Sequence, residues 1–193
     1  MEEKLTAAAI AGASLGMAAP VTETANAGGR FTFVCRDADG NVLWSETVPN
    51  TVTTAGKNYA LDTYLAGSGF TVVGPFMGLI SSVSYSAIAA ADTMASHAGW
   101  TEAGITNAPT YSGGRKTCAW SAASAGSKAL SAGLVFTFTG AGTVKGAFIA
   151  LSTGAVSTVD STAGTLYSAA LFSGGDQIVA NTNTLTVSYT ASL

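Results

Sequence analysis

The chain has 193 residues, a usual length for one domain and too short for two of full size. It contains 36 Ala, 23 Gly, 20 Ser and 26 Thr, together 54% of the residues, but only 10% charged residues, far below the roughly 25% of an average soluble protein. The eight basic residues are scattered, so no nucleic-acid partner is expected. No apolar run approaches the roughly 20 residues of a membrane-spanning helix, so no membrane partner is expected either.

Residues 1–29 form a predicted N-terminal arm. They begin like a secretory signal, with an Ala-rich stretch at residues 6–19 and an A-x-A cleavage pattern at residues 25–27. However, Glu2 and Glu3 outweigh a single lysine at the start, whereas a signal requires net positive charge there. The sequence therefore predicts an uncleaved arm with little core of its own, which we expect a neighbouring subunit to hold in place.

A β-hairpin is predicted after the arm. Residues 30–36 are rich in the aromatic and β-branched side chains that strands favour. Residues 37–41 (DADGN) contain an Asp-Gly pair typical of a tight turn, and residues 42–48 form the returning strand. The turn superficially resembles a calcium loop, but Val42 and Val48 occupy the positions where that loop requires a glycine and a glutamate. The hairpin turn explains the same residues more simply.

Residues 55–66 are the best helix candidate. Thr53 or Thr54 is a suitable N-cap, and Gly67 is a suitable end. Three apolar side chains are predicted to form the buried side of this helix: Tyr59, Leu61 and Leu65.

The rest of the chain shows a mostly β pattern. Residues 75–80 are a predicted buried strand, and residues 81–109 are weakly patterned, except that residues 92–97 are predicted to form one helical turn with Asp92 as its cap. Six further strands are predicted at residues 115–121, 134–139, 143–151, 166–172, 177–180 and 185–190. Eight or nine short strands with one helix predict a mainly β fold, a single antiparallel β-sandwich of jelly-roll type at residues 30–193.

No catalytic constellation is apparent, and the chain is predicted not to be an enzyme. Residues 12–16 (GASLG) match the G-x-S-x-G nucleophile elbow, but the match has no preceding strand, and a chain so rich in Gly, Ala and Ser produces it by chance. His97 is the only histidine. Asp92 and Glu102 are near it in sequence, but nothing shows that they converge on it, so a surface or capping role is predicted.

No cofactor or metal site is predicted. One histidine and two cysteines 83 residues apart cannot supply the ligands of a zinc site at normal spacing. Residues 140–146 (GAGTVKG) lack the strand-loop-helix context of a phosphate loop, so a turn is predicted there. Cys35 and Cys118 are expected to be buried free thiols, with a single disulfide as the less favoured alternative.

Residues 92–102 (DTMASHAGWTE), together with Tyr111 and Arg115, resemble a pattern found in small virion proteins of tailed bacteriophages. Further segments fit the same layout: residues 76–80 (FMGLI), 143–149 (TVKGAFI), 166–168 (LYS), 172–176 (FSGGD) and 185–190 (LTVSYT). The resemblance covers roughly residues 40–193. Such proteins are similar to head decoration (cement) proteins, head fibres and tail components. The resemblance therefore assigns no catalytic residues to this chain.

The resemblance implies a head decoration protein as the leading hypothesis. Its partners would be the major capsid protein and other copies of itself in a homotrimer, and its place would be the capsid surface of a virion assembled in the host cytoplasm. The alternative is a tail or fibre component for host attachment, motivated by Trp44, Trp100 and Trp120 as a platform for a glycan, although core packing is the commoner fate of tryptophan. A third hypothesis, a secreted hydrolase, depends on Ser14 of the elbow-like match.

Overall fold

The computed structural model of the protein describes residues 27–65 and 73–192. Most of the predicted arm, the match at residues 12–16 and Gly67 lie outside these residues. The described part contains one helix, α1 (Thr54–Leu65), and eleven strands: β1 (Gly28–Arg36), β2 (Val42–Pro49), β3 (Thr51–Val52), β4 (Phe76–Ser81), β5 (Lys116–Thr117), β6 (Ser127–Ala129), β7 (Leu134–Thr137), β8 (Gly142–Leu151), β9 (Thr165–Leu171), β10 (Gln177–Val179) and β11 (Thr184–Ser192).

The strands form two antiparallel sheets. In the first sheet the order is β2-β1-β11-β6, and β7 also pairs with β11. In the second sheet the order is β3-β9-β8-β4-β5, and β10 also pairs with β8. One buried cluster joins side chains from both sheets, so the predicted β-sandwich is confirmed.

The main core lies between the two sheets and follows the period-two alternation of the strands. On β1, Phe31, Phe33 and Cys35 are fully buried, and the residues between them are not. On β11, Val187 pairs with Phe33, while the ring of Tyr189 lies 4.5 Å from that of Phe31, centroid to centroid. Each large side chain buried in this way contributes about 1.5–3 kcal/mol of hydrophobic stabilisation.

A second core lies on the other face of the second sheet. Strand β8 is buried on both faces, because Ala147 and Ile149 face the main core whereas Phe148 belongs to the second cluster. The segment between β4 and β5 covers this face with Met94 and Trp100, whose indole lies 5.2 Å from the ring of Phe148, centroid to centroid. The second sheet therefore has both faces covered, which explains the unbroken apolar run in β8.

Helix α1 begins as predicted but is not buried as predicted. Thr53 is the N-cap, since its hydroxyl oxygen accepts a hydrogen bond of 3.0 Å from the amide of Gly56. The first turn packs on β9, where a side chain at Gly56 would overlap the carbonyl of Tyr167. Leu61 and Leu65, predicted on the buried side, are 56% and 80% exposed. Tyr59, also predicted on that side, is half-buried, so among the described side chains of the helix burial decreases from Gly56 towards Leu65.

The helical turn predicted at residues 92–97 is wrong. Thr93 and Ser96 instead form an isolated β-bridge, in which each amide donates to the other carbonyl at 2.9 and 3.2 Å. The Asp92 carboxylate accepts a hydrogen bond of 3.0 Å from the indole nitrogen of Trp100. The aspartate therefore orients a core tryptophan rather than capping a helix.

The structure differs from the strand predictions in three places. Of residues 115–121, only Lys116–Thr117 form a strand. Strands β3 and β6 were not predicted, because a strand of two or three residues is too short to show an alternating pattern.

Candidate functional site

The two sheets differ in how their outer faces are covered. The second sheet is covered by the second core, whereas the outward side chains of the first sheet are exposed or half-buried. Because successive side chains of a strand point to opposite faces, the same alternation that buries Phe31 and Phe33 directs Thr32 and Val34 outward. Within residues 27–65 and 73–192, the first sheet therefore presents a broad, partly exposed face.

We call this surface the threonine face. Its members come from β1, β2, β7 and β11: Arg30, Thr32, Val34, Arg36, Ser45, Thr47, Val135, Thr137, Thr184, Thr186, Ser188 and Thr190. Six of these twelve residues are threonine, and none is acidic. Hydroxyl and methyl groups therefore dominate the surface, and its charge comes from two arginines on one strand.

Strand register arranges these residues in rows across the sheet. Thr32 lies between Thr47 on one side and Ser188 on the other, and the hydroxyls of Thr32 and Thr47 are 3.0 Å apart. The next row contains Val34 between Ser45 and Thr186, with Val135 beyond Thr186.

The dimensions of the threonine face limit what it can bind alone. Four strands about 4.8 Å apart, each contributing about seven residues at about 3.3 Å, cover roughly 400 Å². A standard protein interface buries about 800 Å² per partner. One copy of this face therefore supplies about half of a standard interface.

A buried ion pair organises the loops at the side of the second sheet. The side chains of Arg115 and Glu102 are 0% and 3% exposed, and two parallel hydrogen bonds of 2.9 and 2.7 Å join Nε and Nη2 of Arg115 to the two carboxylate oxygens. Nη2 also donates to the carbonyl of Ser161 at 2.7 Å, and Glu102 accepts the amide of Asp160 at 2.8 Å. The pair thus connects the segment between β4 and β5 to the loop between β8 and β9.

The electrostatics of this pair favour a structural role. Burial raises the pKa of Glu102 above its ordinary value, and the Arg115 guanidinium and the Asp160 amide oppose that shift. Burial also raises the pKa of Tyr111, with a smaller contribution from the Glu102 charge. A cleft of about 170 Å³ lies beside the pair, and its lining includes His97 and Thr162. Both carboxylate oxygens of Glu102 are already hydrogen-bonded within the protein, so the pair holds the loops together.

The structure does not bring the other sequence candidates together into a site. His97 stacks on Trp100 with ring centroids 4.0 Å apart, and its Nδ1 lies 3.0 Å from the Trp100 carbonyl. Trp44 packs edge-on against Phe172, and Trp120 packs against a core tyrosine. Each tryptophan ring is used in separate internal packing, so the three do not form one exposed platform.

The turn predicted at residues 37–41 is confirmed, whereas the turn predicted at residues 140–146 is limited to residues 140 and 141, because β8 begins at Gly142. The Asp37 carboxylate accepts the amides of Asp39 and Asn41 at 3.0 and 2.8 Å, which closes the β1–β2 hairpin. The side-chain amide of Asn41, which donates to the same carboxylate at 2.9 Å, and these backbone amides hold the pKa of Asp37 below its ordinary value. The Gly-rich residues 140–146 run from a turn into strand β8, with no helix after them.

Both cysteines are free and buried. Burial raises the pKa of the Cys35 thiol to about 11 and that of the Cys118 thiol to about 12. The favoured prediction of buried free thiols is confirmed.

Among the described residues, no group of three or more His, Cys, Asp or Glu side chains is placed to hold a metal ion. Within the same ranges, no helix is long and apolar enough to cross a membrane.

The sequence analysis did not predict two features of the structure, the threonine face and the buried ion pair. The threonine face was signalled by threonine and serine alternating with Phe, Leu and Val in β1 and β11, but the alternation does not show which sheet face lacks a cover. The only sequence signal for the pairing of Glu102 with Arg115 was that both are charged residues in a chain with few charges.

No protein-family model, curated protein or solved structure matches this chain.

Proposed function

We propose that this protein is a head decoration (cement) protein of a tailed bacteriophage, which binds the major capsid protein across capsomers on the virion surface. The observation that carries the proposal is the threonine face, a broad sheet surface that the described residues leave uncovered. The resemblance of residues 92–102, Tyr111 and Arg115 to small phage virion proteins supports the same assignment.

The chemistry of the threonine face suits assembly. Threonine, serine and valine lose little side-chain entropy when they are immobilised in an interface. The central rows around Thr32 and Val34 carry no charge, so little desolvation cost opposes their burial. A cement protein acts by adding contact area at capsomer joints, which opposes the internal pressure of packaged DNA.

The size of the face supports a homotrimer. Since one copy offers roughly 400 Å², about half of a standard interface per partner, several linked copies are needed for firm attachment. Once one copy of a linked trimer has bound, the other copies are held near their own sites at a high effective concentration. The trimer therefore binds more tightly than a single copy, although each copy makes the same contacts. Copies arranged around a threefold position of a capsid would meet this requirement.

The internal use of the polar groups also supports a structural rather than a catalytic role. Glu102 and Arg115 are bonded to each other and to the backbone, and His97 is stacked on Trp100. An enzyme would need such groups available to a substrate.

Binding of the full-length protein to expanded capsids tests the proposal. Cosedimentation is expected with the unaltered protein, together with greater capsid tolerance of heat and of chaotropic salts. Ser188→Lys places a charge at the centre of the threonine face, where Ser188 is exposed, and is expected to weaken binding at least 10-fold. Thr153→Lys, at an exposed position in the loop after β8, is the matched control and is expected to bind normally.

Two results would contradict the proposal. In the first, capsids lacking the protein are as robust as capsids that carry it, and heads contain none of it. In the second, antibody labelling marks tails rather than heads, which would favour the tail or fibre alternative. Melting curves of both lysine variants must match that of the unaltered protein, so that lost binding is not mistaken for unfolding.

A further inference from the structure

Arg30 is the only charged side chain at its end of the threonine face. It is exposed, and its neighbours on the two adjacent strands, Pro49 and Thr190, carry no charge. Gly28, the outward residue before it on β1, has no side chain that could cover it. In the part of the chain that the structure describes, the guanidinium of Arg30 takes part in no ion pair and donates no hydrogen bond. Within that part, its five N–H groups are therefore available to a partner.

Arg36, at the other end of β1, is already engaged by its own hairpin. Its Nη1 donates a hydrogen bond of 2.8 Å to the carbonyl of Gly40, and the adjoining turn contains Asp37 and Asp39. The two arginines are about 20 Å apart along the strand. This distance exceeds two Debye lengths at physiological salt, each about 8 Å, so the turn carboxylates do not neutralise Arg30. The positive charge of the threonine face therefore lies at the Arg30 end.

The charge distribution of the chain indicates an acidic partner. The chain has a formal net charge of −3, whereas the threonine face carries two positive charges and no negative one. An acidic surface attracts Arg30 and repels most of the remaining molecule, which orients the face towards that surface. A nucleic acid is a poorer match, because its affinity for a protein depends on the neutralisation of several phosphates at once. The ligand that fits Arg30 is a single carboxylate.

Thr190 provides a second group for such a carboxylate. It lies directly opposite Arg30 in the β1–β11 pair, and side chains at opposite positions have Cβ atoms about 5 Å apart. Thr190 is exposed, and its hydroxyl has no hydrogen-bond partner among the described residues. A guanidinium can donate two parallel hydrogen bonds to one carboxylate, and the threonine hydroxyl can donate a third. The two side chains together thus match the acceptors of an aspartate or a glutamate.

We propose that Arg30 and Thr190 form a subsite that binds an Asp or Glu side chain of the major capsid protein. This inference rests on the proposed function and specifies the chemistry of the partner surface. The uncharged rows around Thr32 and Val34 face an uncharged region of that surface, and the acidic side chain lies at the edge of this region. The subsite fixes the orientation of the threonine face, because a carboxylate placed at the hairpin end meets the carboxylates of the β1–β2 turn instead.

Charge variants measured by capsid cosedimentation test the subsite. An exposed ion pair strengthens binding about 2- to 5-fold, so Arg30→Gln is expected to weaken binding to expanded capsids by that factor. Arg30→Glu replaces the attraction with a repulsion of similar size and is expected to weaken binding about 4- to 25-fold. Lys57→Glu makes the same change of net charge at an exposed position of α1 and is the matched control. It is expected to change binding less than about 2-fold, because salt screens charges that lie far from the interface.

Carbodiimide crosslinking identifies the group that meets position 30. The reagent joins a lysine amine to a carboxylate as an amide and does not couple arginine. Arg30→Lys keeps the positive charge, so this variant, bound to capsids, is expected to form a crosslink between position 30 and an Asp or Glu of the capsid protein, mapped by mass spectrometry. The unaltered protein is expected to give none at this position. Lys57, exposed on α1 in the same sample, is expected to give no crosslink to the capsid protein.

The outcomes separate this inference from the proposed function. If the unaltered protein does not bind capsids, both are wrong. If it binds, but Arg30→Glu weakens binding no more than Lys57→Glu does, the capsid proposal stands and the subsite is refuted. Crosslinks from position 30 only to other copies of this chain would also refute the subsite. Melting curves of all variants are expected to match that of the unaltered protein, because Arg30 makes no ion pair or hydrogen bond within residues 27–65 and 73–192.

Discussion

Replacing Arg115 by methionine is the sharpest test of how the loops are held. In the folded protein Glu102 accepts three hydrogen bonds, two from Arg115 and one from the Asp160 amide. Arg115→Met removes two of these and leaves a carboxylate that is 3% exposed without a counter-charge. It also removes the donor to the Ser161 carbonyl.

The expected cost is large for a single substitution. Breaking a buried ion pair by removing one partner costs about 3–5 kcal/mol, since the remaining charge is neither paired nor hydrated. At about 2–4 °C per kcal/mol for a chain of this length, the melting temperature should fall by about 6–20 °C. Lys145→Met, which breaks the exposed ion pair of Lys145 with Asp176, is the control and should cost at most about 1 kcal/mol.

Equilibrium unfolding in urea, followed by circular dichroism, measures these free energies. The double variant Arg115→Met with Glu102→Gln should lose less free energy of unfolding than the two single variants lose together, by at least about 1 kcal/mol. The reason is that Glu102→Gln removes the carboxylate charge that Arg115→Met leaves unpaired. Losses that add within about 0.5 kcal/mol, or a cost of Arg115→Met below about 1 kcal/mol, would refute the role assigned to the pair.

The pH dependence of Arg115→Met follows from the same residues. Without the guanidinium, the pKa of Glu102, already raised by burial, rises further above its value in the unfolded chain. A carboxyl with a raised native pKa stabilises the fold below its unfolded pKa, and this stability is lost as the pH rises through the native pKa. The deficit of Arg115→Met should therefore be smaller at about pH 4 than at about pH 7.

Three further predictions concern the core. Burial raises the pKa of Cys35 to about 11 and of Cys118 to about 12, so neither thiol should react with a thiol reagent at about pH 8 until urea unfolds the chain. Because these native pKa values exceed the ordinary 9.0, stability should fall as the pH rises above about 9, which urea titrations at several pH values would detect. Gly146→Ala should cost about 1–3 kcal/mol, since its Cβ would overlap the carbonyl of Ala170 on β9, while Gly174→Ala, with no atom closer than 3.6 Å, should be nearly neutral in the same melts.

Local pattern was enough to predict most of the sandwich. Aromatic and β-branched alternation located β1, β2, β8, β9 and β11 to within a few residues, and Thr53 was one of two predicted caps of α1. The segment after β4 was harder, because its residues are ordered by contacts distant in sequence. Asp92 illustrates this difficulty: its carboxylate binds the indole of Trp100 and therefore does not start a helix.

In β1 and β11 the sequence by itself determined which side chains point inward, because apolar residues alternate there with polar ones at a period of two. Tertiary structure decided which outer face of the sandwich the described residues cover: Met94 and Trp100 pack over the second sheet, whereas Thr32 on the first is half-buried and Ser188 is exposed. It likewise decided that Glu102 pairs with Arg115, and that Leu61 faces solvent although its helix forms. These outcomes depend on contacts between segments that are distant in sequence, and the local pattern of apolar and polar residues does not show which segments come into contact.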